Sequence, residues 1–168
     1  KFFKSGETNG YFFTIDDDLE YPANYVETMI NKINEYKRKF IITCHGRTLI
    51  PGKIQSYYSS ASRLYQCHCL KEQKEDQVVQ IGGTGVMCFH SDTIKVTFSD
   101  FLEPNMADIW MFKLSQEQKV GIISIAHSES WLHYLKGAND QDTIYSQHHN
   151  KDSIQTAVVN SFVNRFTP

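Results

Sequence analysis

No stretch of the chain approaches the roughly 18 to 20 consecutive apolar residues that a helical membrane span requires, and no signal peptide is visible. A clustered basic excess is missing too. Seventeen lysines and arginines against 19 acidic residues give a formal charge of -2, which leaves no electrostatic footprint for nucleic acid or an anionic membrane surface. The one basic run, Lys37-Arg38-Lys39, closes a predicted helix, where cations complement the carboxyl-end dipole. Cysteine is sparse. Cys44, Cys67, Cys69 and Cys88 lack the close spacing of a disulfide scaffold and fit buried free thiols in a reducing compartment. Cys67-His68-Cys69 suggests zinc only until it is placed on a strand: alternation then sends both sulfurs to one face and His68 to the other, and no second pair follows at ligand spacing. Repeats and low-complexity segments are absent. The expectation is a cytoplasmic chain, at most peripheral to a membrane, with no transmembrane segment and no nucleic-acid partner.

What is present suffices for one domain over residues 1–168. A chain of 168 residues with 40% hydrophobic content can bury a sizeable core. It opens Lys1-Phe2-Phe3-Lys4 without an initiator Met, so it is expected to be cut from something longer.

The most informative stretch is Tyr11-Phe12-Phe13-Thr14-Ile15 followed by Asp16-Asp17-Asp18 and Leu19-Glu20-Tyr21-Pro22. The aromatic and β-branched run predicts a buried strand. Three successive carboxylates at its carboxyl end are too costly to bury unless a cation or solvent neutralises them. At the mouth of an open α/β sheet, hard oxygen ligands suit Mg²⁺ or Mn²⁺ with a phosphate-bearing substrate. The alternative is a helix cap, with Asp17 or Asp18 at the start of the helix that begins near Pro22.

Beyond the aspartates, Val26, Met29, Ile30, Ile33 and Tyr36 recur at helical spacing, and Phe40 to Cys44 is a short apolar strand. Strand, helix and strand make a βαβ unit with a right-handed crossover. His45-Gly46 ends the second strand on the same edge as the aspartates; His45 is either a site residue or a structural hydrogen-bonder. Arg47 to Ser62 is expected as a surface excursion, and Arg63 to Leu70 with Val78 to Ile81 as an antiparallel hairpin. Gly82-Gly83-Thr84-Gly85 permits a close backbone approach or a tight loop, but lacks the lysine of a phosphate loop and the length of a dinucleotide fingerprint. Met106 to Leu114 predicts a mostly buried helix with Asp108 near its start, where a carboxylate serves either the helix dipole or chemistry. Val120 to Ala126 is a further strand, ended by His127. A polar stretch from Gly137 to Lys151 leads to a last helix with Ile154, Val158, Val159, Phe162 and Val163 as its apolar face.

Taken together, these segments carry a resemblance. The strand and Asp16-Asp17-Asp18-Leu19-Glu20-Tyr21-Pro22-Ala23-Asn24-Tyr25 resemble the metal-binding DXD segment and following helix of a GT-A-type, family-2-like glycosyltransferase. Gly82 to Val86 is similar to the acceptor-side glycine turn of such enzymes. Met106-Ala107-Asp108-Ile109-Trp110 resembles the segment bearing their catalytic aspartate, and Ile125-Ala126-His127 followed by Trp131 their late strand end near the metal. The order over Lys1 to about Trp131 is the family's.

The resemblance implies a partial GT-A-like, Rossmann-like mixed α/β sheet flanked by helices. It also implies a metal-dependent inverting transfer of a sugar from a nucleotide-sugar donor, UDP-linked by preference, to a saccharide hydroxyl, in bacterial surface polysaccharide assembly. Asp16, Asp18 and His127 would serve the Mn²⁺ or Mg²⁺ ion, and Asp17 and Lys1 the donor. His45, Gly83, Thr84, Gly85 and Trp110 would face the acceptor, and Asp108 would be the general base. Two departures stand out. Ala107 occupies a place where many relatives carry an acidic residue, and only about ten residues precede the DXD strand, where a complete enzyme has a nucleotide-binding half. A catalytically silent fragment or carbohydrate-binding module of the same fold is therefore the second expectation.

Overall fold

Alternation of apolar residues along two central strands organises the molecule. The computed structural model describes residues 1–2, 5–135 and 152–162. In chain order they form β1 (Tyr11–Ile15), β2 (Leu19–Glu20), α1 (Tyr25–Glu35), β3 (Phe40–Thr43), β4 (Gly46–Leu49), β5 (Arg63–Cys67), β6 (Gln77–Val79), β7 (Ile81–Gly82), β8 (Val86–His90), α2 (Ala107–Glu117), β9 (Gly121–Ser124), β10 (His133–Tyr134) and α3 (Ser153–Phe162). The main sheet has the order β1-β8-β3-β9-β6. Only β3 and β9 run parallel; the other pairs are antiparallel. Ile42, Cys88 and Ile123 point to the face that receives Met29 and Ile33 of α1. Their neighbours Ile41, Met87, Phe89 and Ile122 point to the opposite face, packed with Met111 and Leu114 of α2. Burial on both faces explains why β3 and β8 are apolar throughout. A third cluster joins Leu49, Ile54 and Tyr57 to Ile109, Trp110 and Phe112 of α2 and to Val159 and Phe162 of α3.

The α/β class is as expected, with several corrections in detail. The strand–helix–strand unit is split: β1 and β3 point the same way, but antiparallel β8 lies between them. β1 is accordingly an edge strand, with Ile15 exposed. Residues 63–70 and 78–81 do not pair with each other. β5 pairs with β4, β6 with β9, and β7 with β4, because Gly46–Leu49 is itself a strand and takes both partners. The expected surface excursion is in part core, since Leu49, Ile54 and Tyr57 are buried. On α1, Val26 faces solvent and Tyr25, Met29 and Ile33 face inward. On α3, Ile154 is exposed while Gln155, Thr156, Val159 and Phe162 are buried. The polar stretch from Gly137 to Lys151 and Val163 lie outside the described residues.

The far end of β9 is tied to α1 through Asp76. One carboxylate oxygen accepts from Lys32 Nζ and Tyr36 Oη, each at 2.8 Å, and the other accepts from the Ala126 N–H at 2.7 Å. Burial alone pushes the Asp76 carboxyl upward, but the bonds from Lys32, Ala126 and Tyr36 more than reverse it and hold it below the usual carboxylate value. A depressed folded value means that this contribution is complete above the unfolded value of about 3.9 and is lost as the pH falls through the folded one. Asp76→Ala is expected to cost about 2 kcal/mol at neutral pH, the size of a lost charge-assisted hydrogen-bond set. In urea unfolding, the gap to wild type should narrow as the pH is taken below about 4.

Candidate active site at the sheet edge

β1, β3 and β9 share a direction, so their carboxyl ends open on one edge, where β8 begins. Asp16, His45, the glycine turn and His127 all arise there. The acidic tip leaves β1 as a turn, and its return strand β2 pairs with β10 while the Leu135 N–H donates to the Asp18 carbonyl at 2.8 Å. The helix-cap alternative for Asp17 and Asp18 fails. α1 starts at Tyr25 with Asn24 at its cap and no side-chain cap bond, and the Asn24 side chain instead accepts from Trp131 Nε1 at 3.3 Å. Asp16 and Asp18 are half-buried and Asp17 is exposed.

The glycine turn binds this tip to the rest of the edge. The Gly83 N–H donates to the His45 carbonyl at 2.7 Å, and Thr43 Oγ1 donates to the Gly83 carbonyl at 3.1 Å. At Gly85 the close approach is literal: an added Cβ would overlap the Asp16 carboxylate, with its Cγ only 2.6 Å away. Tyr21 completes the attachment. Its hydroxyl accepts from the Asp16 N–H at 2.9 Å and donates to the Gly85 carbonyl. Burial pushes the Tyr21 hydroxyl up to about 12, reinforced by the Asp16 and Asp18 charges and opposed by its bond to Asp16, so it stays a donor at neutral pH. Nothing in the sequence pattern singled out Tyr21; its bond to Gly85 crosses 64 residues.

On the other side of the turn lies Asp108, in the first turn of α2. The cap position is Met106, with no side-chain cap bond; the Asp108 carboxylate reaches across to Thr84 instead. Oδ1 accepts both the Thr84 N–H, at 2.8 Å, and Thr84 Oγ1, at 2.6 Å. Among the described residues Oδ2 carries no hydrogen bond. Lys1 is also at this edge: its ammonium pairs with the Asp16 carboxylate and donates to the Thr84 carbonyl at 3.3 Å.

Two expected site residues are placed otherwise. Both ring nitrogens of His127 lie against backbone carbonyls, Nδ1 3.1 Å from Ser128 O and Nε2 3.3 Å from Cys44 O, and the ring stacks on Trp131. A neutral imidazole carries a single N–H, so one of the two contacts is a donated hydrogen bond that ties the ring to the backbone. Trp110 is 6% exposed, within the third core cluster, and its indole N–H donates to the Glu103 carbonyl at 3.2 Å. The side chain is used in packing, and no face is offered to an acceptor.

Three residues that the sequence pattern did not nominate join the edge. His45 meets His68 edge to face with ring centroids 4.8 Å apart. Burial drives His45 down to about 3, with His68, Arg47 and Arg63 adding to the effect, and burial and Lys71 lower His68; both imidazoles are neutral at pH 7. Burial pushes the Cys69 thiol up to about 11, opposed by its own backbone bond and aided by the Asp16, Cys67 and Asp18 charges. Arg47 is nearly buried, its guanidinium 4.7 Å over the Tyr57 ring and its Nη1 without a hydrogen-bond partner among the described residues. No protein-family model matches the chain, and no curated protein matches it.

Proposed function

We propose that this chain is the metal- and acceptor-side part of an inverting glycosyltransferase, moving a sugar from a nucleotide-sugar donor to a saccharide hydroxyl. The observation that carries the reading is the glycine turn itself. It touches Asp16 through Gly85 and Asp108 through Thr84, so the three segments that resemble the family's DXD, glycine turn and base meet at one sheet edge. The donor set fits a hard cation, because an ammonium already sits between the Asp16 carboxylate and the Thr84 carbonyl. Asp16 and Asp18 are the residues that would hold Mn²⁺ or Mg²⁺, which supplies charge neutralisation for the departing diphosphate. The buried Arg47 guanidinium adds positive charge close to His45, in keeping with an anionic donor.

The chain's own chemistry then falls to Asp108. Thr84 anchors Oδ1 and leaves Oδ2 to accept the acceptor's hydroxyl proton as its oxygen bonds to the anomeric carbon and the bond from that carbon to the diphosphate oxygen breaks. Attack opposite the leaving group inverts the centre. A carboxylate is a weak base in water, but positioning compensates for it.

The second reading is a catalytically silent carbohydrate-binding module, favoured by Lys1 on Asp16, where an ammonium replaces the ion. Calorimetry on the full natural polypeptide with UDP- and GDP-sugars separates the two. Donor binding is expected only with Mn²⁺ or Mg²⁺ and is abolished by Asp18→Ala. Unchanged donor binding in that variant sinks the metal assignment, and saccharide binding that ignores both metal and donor favours the module.

A further inference from the structure

The corner behind the glycine turn gathers two imidazoles and a thiol. The antiparallel register of β4 and β5 pairs Gly46 with Cys67, so the residues just outside that pair, His45 and His68, come opposite one another, ring edge against ring face. The chain then turns at once, with the Lys71 N–H donating to the His68 carbonyl at 2.9 Å. That turn brings Cys69 back to the two imidazoles. One ligand atom from each of His45, His68 and Cys69 lies within 4.8 Å of the others.

The strand argument against zinc therefore rested on a conformation that the chain does not adopt: β5 ends at Cys67, and Cys69 is not on a strand. Cys67 is directed elsewhere, its thiol 3.1 Å from Ser124 Oγ and 3.5 Å from the Gly46 carbonyl.

We propose that His45, His68 and Cys69 bind a soft divalent cation of the zinc class through two imidazole nitrogens and one thiolate, at a site separate from the hard-oxygen carboxylates of Asp16 and Asp18. Bond lengths of about 2.0 to 2.1 Å to nitrogen and 2.3 Å to sulfur put tetrahedral ligand atoms roughly 3.3 to 3.6 Å apart. The three side chains need close by only about an ångström from where they stand. Space for the His45 ring is secured by Gly83, whose added Cβ would come within 2.9 Å of the His45 Cβ.

Among the described residues, no hydrogen bond reaches either ring nitrogen of the half-buried His45, so both are open to a ligand. A cation would satisfy it. The one bond given up is long: the Leu70 N–H to His68 Nδ1, at 3.3 Å. It is lost if the ion takes Nδ1, and equally if the ion takes Nε2 and the ring proton moves to Nδ1. Binding releases the Cys69 thiol proton to buffer as the sulfur–metal bond forms. His68 also lines a surface groove with Tyr65, Gln66 and Lys71, so one side of the cluster is open to solvent.

The purified full chain, stripped with a chelator and titrated with Zn²⁺ or Co²⁺, is expected to retain one ion per chain after desalting. Its cobalt adduct should show tetrahedral visible bands and a thiolate-to-cobalt charge-transfer band. Cys69→Ser should remove that band and Cys67→Ser preserve it, while His45→Gln and His68→Gln should each weaken Zn²⁺ binding at least about tenfold. Asp18→Ala should leave the sulfur band and the one-ion stoichiometry in place, which keeps the outcome distinct from the donor-binding test. A folded wild type that retains no ion, or whose cobalt adduct lacks a sulfur band, overturns the proposal whatever the variants do. So does a band lost with Cys67→Ser rather than Cys69→Ser.

Discussion

Asp108→Asn is expected to lower turnover by a hundredfold or more while donor affinity stays within about twofold, the signature of a lost general base. The substitution is chosen for what it preserves. An asparagine carbonyl can still accept from the Thr84 N–H and Oγ1, which both converge on Oδ1, so the glycine turn keeps its anchor on α2. Only the oxygen assigned to the acceptor's proton changes chemistry. Thr84→Val is the companion, since it deletes the Oγ1 bond and leaves the backbone one. It should reduce turnover by about tenfold, the low end for a single hydrogen bond to a charged group, because the backbone bond still holds Oδ1. Steady-state kinetics with the donor saturating checks both. Parallel losses of donor binding and turnover in Asp108→Asn would mark Asp108 as a structural clasp for the turn.

The second large effect belongs to Gly85→Ala. Gly85 is free of the left-handed backbone region that would require glycine, so backbone strain is not its role. Its role is contact: the methyl would enter the space held by the Asp16 carboxylate. Asp16 is half-buried at a strand end and can rotate toward solvent, so the fold should lose no more than about 1 kcal/mol. Metal-dependent donor binding, by contrast, should fall at least tenfold, as for Asp16→Ala. The double variant should be no worse than either single one, since both act on one carboxylate. Calorimetry and thermal unfolding on the three variants test this, and additive losses would separate Gly85 from Asp16.

Much of the frame was legible from residue order. Helical spacing located α1, and apolar runs located β1, β3 and β9, because burial on one face or both leaves a mark on the chain. The helix that Asp108 opens was legible from its apolar density, Ile109 to Leu114, rather than from a clean stripe. Pairing was not. β6 and β7 are three and two residues long, too short for a pattern, and β4 hid inside a polar stretch because its partners lie on separate segments. Trp110 looked like an acceptor platform and is core, since a helix packed on two sides has no spare aromatic face. His127 looked like a ligand, but its ring stacks on Trp131 and hydrogen-bonds a backbone carbonyl at the strand end.

By itself, then, the sequence determined that an acidic tip follows a strand, that a glycine turn precedes another, and that a carboxylate opens a buried helix. These are local facts, set by side-chain chemistry and by periods of two and 3.6 residues. Only the tertiary structure decided that β8 enters between β1 and β3, that Gly85 closes on Asp16 while Thr84 holds Asp108, and that His45 meets His68 and Cys69. Those outcomes depend on which strands pair and in which register, contacts that span 23 to 83 residues of chain and leave no periodic trace along it.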